Sequence, residues 1–215
     1  MVPVVLVHGW GGSFAATWVQ SGFTELLADA GRPVIGVDLL GHGEAPKPHD
    51  PASYTDLTGR LFDALPDTPV DGVGFSLGAI TLLEAAIAQP NRFNRLVLAG
   101  IGRHVLEHFR QAEPDEQRAR LFAQYANRPG NDPVALEAVL ARPQVSLTEA
   151  DLAAVTCPVL IAVGDADFVL PADRLVAALP NAEFRSLRRT DHFATPESFE
   201  FIDATLEFLG AAPAR

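Results

Sequence analysis

Short apolar runs alternate along the chain with segments whose apolar residues recur at helical spacing. The apolar runs are nearly continuous, which is typical of parallel strands that are buried on both faces of a sheet. Their alternation with helical segments predicts an α/β fold, a mostly parallel sheet with helices packed on its faces. We expect strands at residues 2–7, 33–39, 70–75, 95–99, 158–163 and 183–187.

Four helices are expected between or after these strands, at residues 17–30, 52–65, 77–89 and 197–209. Pro90 should end the third helix, because proline lacks the N–H that continues the helical hydrogen bonds. For the last helix we expect Thr195 at the N-cap and Pro196 at the first helical position.

Residues 103–154, called the cap segment below, contain no convincing strand. Their apolar residues recur at helical spacing, and helix starts are expected at Asp132-Pro133 and at Thr148. About fifty residues exceed what one crossover connection needs. We therefore predict a small helical cap at 103–154, inserted into an α/β core of residues 1–102 and 155–215. Ordinary crossover helices are the alternative.

Composition and charge exclude some classes of function. The chain has 215 residues, 48% of them hydrophobic, and a formal net charge of −11. This charge argues against nucleic-acid binding, which needs a basic surface. No apolar run approaches the ~18 residues of a membrane-spanning helix. The N-terminal sequence has no basic leader and no small-residue cleavage site, so we expect a cytoplasmic protein.

A lone cysteine and paired histidines offer little chemistry. Cys157 cannot form a disulfide within the chain, and its apolar neighbours predict a buried, inert thiol. His104 and His108 are four residues apart and could share a helix face, yet nothing nearby in the sequence indicates a metal site. We expect no cofactor and no metal.

The strongest chemical signal is the pattern G-x-S-x-G around Ser76, at residues 74–78. An apolar run precedes it and a helix-like run follows, as in a nucleophile elbow. The flanking glycines leave room for neighbouring backbone, and the start of a helix favours the negative charge that develops during acyl transfer. Ser76 is thus the candidate nucleophile. The alternative is a chance serine in a glycine-rich turn.

Two more motifs accompany this elbow. His8-Gly9 follows the first predicted strand, and a D-x-x-G-x-G pattern beginning at Asp38 follows the second. With the elbow, they make the chain resemble the α/β-hydrolase superfamily, although Ala45 replaces the serine that usually follows the second pattern. The resemblance implies a sheet of about six strands, without the first two strands of the family.

The resemblance also assigns roles to these loops. It implies that the backbone N–H groups of Trp10 and Leu77 form the oxyanion hole. It further implies that His8 braces its loop, and that Asp38 ties down the second loop without taking part in catalysis. His42 is likewise not counted as catalytic.

An acid and a base complete the site that the resemblance implies. Asp191-His192-Phe193 follows the last strand, where the family places its histidine, so His192 is the candidate base. Two aspartates compete for the acid, and the family spacing after Gly164 favours Asp167 over Asp165. The chain order Ser76, Asp167, His192 is the order of α/β-hydrolases.

The sequence favours a carboxylesterase that acts on small to medium, uncharged acyl substrates through an acyl-enzyme intermediate. Serine at the elbow argues against haloalkane dehalogenases and epoxide hydrolases, which resemble this fold but carry aspartate there. Apolar residues of the first loop and of the cap segment are the candidate pocket residues: Trp10, Phe109, Phe122, Tyr125 and Leu140.

Several alternatives share the same triad. They are a lactonase, a thioesterase, a perhydrolase, a carbon–carbon bond hydrolase, and a ligand receptor with vestigial turnover. The only partner that the sequence predicts is a small-molecule substrate. We expect binding neither to nucleic acid nor to a membrane. Both a monomer and a homodimer are compatible with the sequence.

Overall fold

The computed structural model describes residues 1–106, 116–143 and 147–211. Within them, six parallel strands form one sheet in the order β2-β1-β3-β4-β5-β6. All six predicted strands are confirmed, with ends shifted by up to a few residues. The strands are β1 Val4–Val7, β2 Val34–Val37, β3 Val70–Phe75, β4 Phe93–Ala99, β5 Val159–Gly164 and β6 Ala182–Leu187.

Burial differs between the centre and the edges of the sheet. Every residue of β1, β3 and β5 is buried, in agreement with the continuous apolar sequences of β1 and β5, whereas β3 also buries Asp71. The edge strands are more open, and four consecutive residues of β6 are exposed. Burial on both faces is therefore wrong for β6, because an edge strand has a neighbour on one side only.

Helices cover both faces of the sheet. Their bounds are α1 Phe23–Asp29, α2 Thr58–Ala64, α3 Leu77–Ala88, α4 Glu116–Ala126, α5 Pro133–Ala141, α6 Glu149–Leu152, α7 Asp173–Ala178 and α8 Phe199–Phe208. Phe23 of α1 and Phe201 of α8 lie in one apolar core with Trp18. Residues of α2, α3, α5, α6 and α7 share the core on the opposite face.

Two predicted helices are interrupted. The one expected at 17–30 is a π-helical turn, Ala15–Val19, followed by α1, and Gly22 has φ of 75° between them. The one expected at 52–65 is a 3-10 turn, Pro51–Tyr54, followed by α2. Asp50 lies just before the 3-10 turn and accepts the Ala52 N–H, and Asp56 lies just before α2 and accepts the Thr58 N–H. Each aspartate therefore favours a new helical start at its own position.

The start predicted for the last helix is wrong. Thr195 begins a 3-10 turn, Thr195–Glu197, and α8 begins only after Ser198. The Thr195 hydroxyl donates to the Asp191 carbonyl, 3.0 Å away, instead of accepting from the N–H groups of a helix. Helix α7, between β5 and β6, was not predicted.

The described part of the cap segment is helical and holds no strand. Both predicted helix starts are confirmed. Asp132 accepts from the N–H groups of Val134 and Ala135 at the start of α5. Thr148 and Asp151 form a reciprocal capping box at α6. Over residues 1–106, 116–143 and 147–211, no helix is long and apolar enough to cross a membrane.

Candidate active site

Ser76 lies on the tight turn between β3 and α3. Its backbone is strained, with φ of 51° and ψ of −112°, a conformation that is rare for any residue except glycine. A side chain at Gly78 would collide with the Val7 carbonyl, and a Cβ at Gly74 would lie 2.7 Å from the Ala79 nitrogen. The two glycines of the motif are therefore required by close backbone contacts, as the elbow pattern predicts.

The predicted base, His192, lies within hydrogen-bonding distance of both Ser76 and Asp167. His192 Nε2 is 3.0 Å from Ser76 Oγ, and His192 Nδ1 is 2.9 Å from Asp167 Oδ2. A carboxylate can only accept, so Nδ1–H donates to Asp167, and the neutral ring accepts the Ser76 hydroxyl proton at Nε2. This arrangement can transfer a proton from the serine to the histidine.

The structure separates the two competing aspartates. Asp167 is buried against His192, and its Oδ1 also accepts the Val169 N–H at 3.0 Å. Asp165 is exposed, and its Oδ1 lies 3.4 Å from the Thr190 nitrogen. Asp165 thus braces the loop that leads to His192, while Asp167 contacts the imidazole.

Aromatic rings surround the His192 imidazole. The ring of Phe168 lies 4.5 Å from it between centroids, that of Phe75 5.0 Å, and that of Phe193 5.4 Å. Sequence reasoning missed these neighbours. Each one directly follows or precedes a triad residue in the chain, and that adjacency is the signal that could have found them.

The two predicted oxyanion-hole donors come from neighbouring segments. Leu77 follows Ser76 as the first residue of α3, and Trp10 belongs to the loop after β1, where the Val7 and His8 carbonyls lie against Gly78. Within the described residues, neither the Trp10 N–H nor the Leu77 N–H donates to a backbone or side-chain oxygen. Two uncommitted donors next to a nucleophile are what an oxyanion hole requires.

His8 and His42 form a buried pair behind this loop. His8 accepts the Leu39 N–H at Nε2 and donates from Nδ1 to the Gly9 carbonyl, which fits the predicted bracing role. Burial lowers the pKa of His8, and burial together with the nearby His8 lowers the pKa of His42 to about 3. Both rings are therefore neutral near pH 7.

Asp38 holds two loops together, as its predicted structural role requires. Its carboxylate accepts the N–H groups of Phe14, at 2.7 Å, and Glu44, at 2.8 Å. A side chain at Gly43 would collide with this carboxylate. None of these contacts involves the triad.

His104 lies at the start of the cap segment, close enough to His192 and Asp167 for their charges to affect it. Burial, and next the charge of His192, lower the pKa of His104 to about 4. The sequence indicated no metal site at His104 and gave no sign of its position near His192. The second histidine of that pair, His108, lies outside the described residues.

The candidate pocket residues of the cap segment have different surroundings. The Phe122 ring lies 5.0 Å from the Trp10 ring, and the Tyr125 ring lies 4.8 Å from that of Phe193. These four rings, of Trp10, Phe122, Tyr125 and Phe193, form an aromatic cluster. Leu140 is 48% exposed and does not belong to it. It lies on the outer side of α5, whose inner side is already filled by Leu136 and Val139. Phe109 lies outside the described residues.

The described part of the chain contains neither a cluster of metal-ligating side chains nor a reactive thiol. No group of three or more His, Cys, Asp or Glu side chains there is arranged to hold a metal ion. Burial raises the pKa of the Cys157 thiol to about 11, so this thiol is a poor nucleophile near neutral pH.

Comparison with known proteins gives relatives of several specificities. A pimeloyl-[acyl-carrier protein] methyl ester esterase of Methylococcus capsulatus is 42% identical over 105 residues, which are 48% of this chain and only 39% of that protein. A 2-hydroxy-6-oxononadienedioate/2-hydroxy-6-oxononatrienedioate hydrolase of Cupriavidus pinatubonensis is 27% identical over 251 residues, covering 96% of this chain and 86% of that protein.

Solved structures and a family model agree on the fold. A serine hydrolase involved in carbazole degradation superposes with a TM-score of 0.76 at 24% identity, covering 99% of this chain and 92% of that one. The model of the alpha/beta hydrolase family matches residues 4–204. This match and the six-stranded parallel sheet show that the chain belongs to the alpha/beta hydrolase family.

Proposed function

We propose that this protein is a serine hydrolase that cleaves carboxylic esters of small to medium, uncharged acyl substrates. The observation that carries the proposal is the position of His192, which contacts Ser76 through one ring nitrogen and Asp167 through the other. The acyl carbonyl would be attacked by Ser76 Oγ, and the esterase among the relatives supports ester bonds as the target.

The proposed reaction has two halves. In the first, His192 accepts the Ser76 proton as the serine attacks, and then donates this proton to the leaving alcohol, which leaves an acyl-enzyme. In the second, His192 deprotonates a water molecule that attacks the acyl-enzyme, and Ser76 recovers its proton. Asp167 stabilises the imidazolium in both halves, and the N–H groups of Trp10 and Leu77 stabilise the oxyanion.

The aromatic cluster supports an apolar acyl group. Phe122 and Tyr125 of the cap segment contact Trp10 and Phe193, which flank the oxyanion loop and His192. Partly buried rings beside a nucleophile favour apolar parts of a substrate over charged ones. We propose that the cap segment covers the carboxyl-terminal edge of the sheet, where ligands bind in open α/β sheets, and that it selects the substrate there.

A second candidate is the cleavage of a carbon–carbon bond. It is favoured by the relative that matches 96% of this chain, which is named as a hydrolase of 2-hydroxy-6-oxo dienedioates. The same triad could serve it, because the cleaved bond is again next to a carbonyl group. Lactone and thioester hydrolysis, perhydrolysis and receptor-like binding with vestigial turnover remain alternatives.

A substrate panel separates these candidates. Wild type and Ser76→Ala are assayed on p-nitrophenyl acetate, butyrate and octanoate, on a lactone, on an acyl thioester and on a 2-hydroxy-6-oxo-dienoate. The proposal predicts that the esters give the highest kcat/KM and that Ser76→Ala loses this activity. Preference for the dienoate by the wild type supports the second candidate. Release of one equivalent of p-nitrophenol followed by a stall supports a receptor.

A further inference from the structure

The loop that carries the Trp10 N–H has little backbone support of its own. The Gly12 N–H donates to the Gly9 carbonyl at 3.1 Å, which closes the turn. Among the residues that the structure describes, no backbone–backbone hydrogen bond involves Trp10 or Gly11. The Gly9 carbonyl and the Trp10 N–H belong to one planar peptide, so the direction of the Trp10 N–H depends on what holds this turn in place.

Asn131, in the link between α4 and α5, contacts this loop directly. Its side-chain Nδ2 lies 2.9 Å from the Gly11 carbonyl oxygen and 2.8 Å from the Tyr125 carbonyl oxygen. Both amide hydrogens are therefore used, one on the loop and one on the cap segment. Asn131 is itself fixed, because its backbone N–H donates to the Arg128 carbonyl at 3.1 Å.

Two further contacts bring the same surfaces together. The Trp10 indole N–H donates to the Leu136 carbonyl of α5 at 3.0 Å. Gly11, with φ of 70°, lies so close to α4 that a Cβ there would be 3.2 Å from the Tyr125 Cβ. The cap segment thus contacts the loop at two places, the Trp10 side chain and the Gly11 backbone.

We propose that Asn131 is a positioning residue of the oxyanion hole. By tying the Gly11 carbonyl to the cap segment, it fixes the Gly11–Gly12 peptide. The N–H of that peptide donates to the carbonyl of the Gly9–Trp10 peptide, so Asn131 orients the Trp10 N–H toward the oxyanion through this turn. The inference rests on the proposed function only in taking Trp10 as an oxyanion donor. It predicts that the cap segment contributes to transition-state stabilisation as well as to substrate choice.

The competing interpretation is that Asn131 only fastens the cap segment to the core. The chain offers a matched control, because His49 Nε2 lies 2.8 Å from Asp132 Oδ2 and links the core to the residue next to Asn131. This second link does not involve the loop. His49→Ala therefore removes a fastening contact and leaves the hydrogen bond to Gly11 intact.

The test compares Asn131→Ala, the nearly isosteric Asn131→Asp and His49→Ala with the wild type. Three quantities are measured: kcat and KM for p-nitrophenyl butyrate, the second-order rate of labelling by a fluorophosphonate, and the affinity for a trifluoromethyl ketone. The phosphonyl oxygen and the ketone oxyanion both need the hole, whereas KM reports mainly on binding. Melting temperatures show whether each variant is folded.

We expect Asn131→Ala and Asn131→Asp to lower kcat, the labelling rate and the ketone affinity by about 10- to 100-fold, somewhat less than the loss of a whole donor. KM should change by less than about threefold, and His49→Ala should change all of these quantities by less than about threefold. Unchanged labelling and ketone affinity in a folded Asn131 variant would overturn the inference. So would equal losses in His49→Ala.

The labelling rate separates this inference from the proposed function. If the wild type is labelled at Ser76 but cleaves no ester, the ester assignment fails, while the comparison of labelling rates still tests Asn131. If the esters are cleaved and the Asn131 variants label at the wild-type rate, the inference fails alone.

Discussion

His192 Nδ1 contacts both carboxylate oxygens of Asp167, at 2.9 and 3.1 Å, in a buried environment. The contact fixes the tautomer in which Nε2 is free to accept the Ser76 proton. Because the charge of Asp167 is buried, its attraction for an imidazolium is screened little by water.

Asp167→Asn should therefore lower kcat by about 10⁴, as loss of the triad carboxylate does in serine proteases. Asp165→Asn, at the exposed residue two positions earlier, is the matched control and should retain most of the activity. Both variants are assayed on p-nitrophenyl butyrate. A larger loss in Asp165→Asn than in Asp167→Asn would move the acid to Asp165.

The buried pair His8 and His42 predicts acid lability. In the folded state the pKa of His42 is about 3 and that of His8 is also lowered, whereas the pKa of an unfolded histidine is 6.5. Between these values the unfolded chain binds protons that the folded chain does not. The free energy of unfolding should fall as the pH drops below about 6.5, by about 1.4 kcal/mol per pH unit for His42, and His8 should act in the same direction.

His42→Asn should remove one of these titrations. Urea unfolding of wild type and variant between about pH 6 and pH 4.5 should give slopes that differ by up to about 1.4 kcal/mol per pH unit, whatever the variant does to stability at neutral pH. Equal slopes for wild type and His42→Asn would contradict the assignment.

The Arg32 guanidinium joins three parts of the fold at a buried position. It forms an ion pair with Asp71 of β3, and it donates to the Leu209 carbonyl at 2.7 Å and the Val2 carbonyl at 2.9 Å. Arg32→Met would leave the buried Asp71 charge without its partner. Such a loss destabilises a protein by about 3–5 kcal/mol.

This prediction is checked by chemical denaturation. The double variant Arg32→Met/Asp71→Leu should recover much of the lost stability, because it removes the stranded charge. Arg120→Met, at an exposed ion pair with Glu116, should hardly change the melting temperature. If Arg32→Met is as stable as Arg120→Met, the ion pair of Arg32 with Asp71 contributes little to the stability of the fold.

The aromatic residues of the cap segment should influence acyl-chain preference. Phe122→Ala opens space next to Trp10, so its kcat/KM for octanoate relative to butyrate esters should rise by about tenfold or more. Tyr125→Ala should act in the same direction through Phe193. Leu140→Ala, at an exposed residue of the same segment, should keep the wild-type ratio. If Phe122→Ala and Tyr125→Ala keep the wild-type ratio and only lower the melting temperature, the aromatic cluster serves packing and does not contact the acyl chain.

Most of the sheet could be predicted from the sequence because the central strands are buried on both faces, which leaves continuous apolar runs such as that of β5. The edge strand β6 and helix α7 were harder, since exposed surfaces carry no continuous apolar signal. The N-cap predicted at Thr195 was wrong because a threonine before a proline fits the pattern of an N-cap, whereas here the Thr195 hydroxyl donates to the Asp191 carbonyl.

The site divides in the same way. Ser76 could be found from its motif between a predicted strand and a predicted helix. Asp167 and His192 were implied by the resemblance to the family, which places its acid and its histidine in the loops after the last two strands. Asn131 and Phe168 could not be found, because their importance comes from contacts across the chain. Leu140 was selected for its apolar side chain alone, and periodicity could not tell which side of α5 it occupies.

The most direct test of the account is Ser76→Ala, measured by fluorophosphonate labelling with intact mass and by hydrolysis of p-nitrophenyl butyrate. The wild type should gain one label and turn over the ester, while the folded variant should gain none and lose about 10⁶ in kcat. A variant that is still labelled at another serine, or that still turns over the ester, would contradict the assignment of Ser76 as nucleophile.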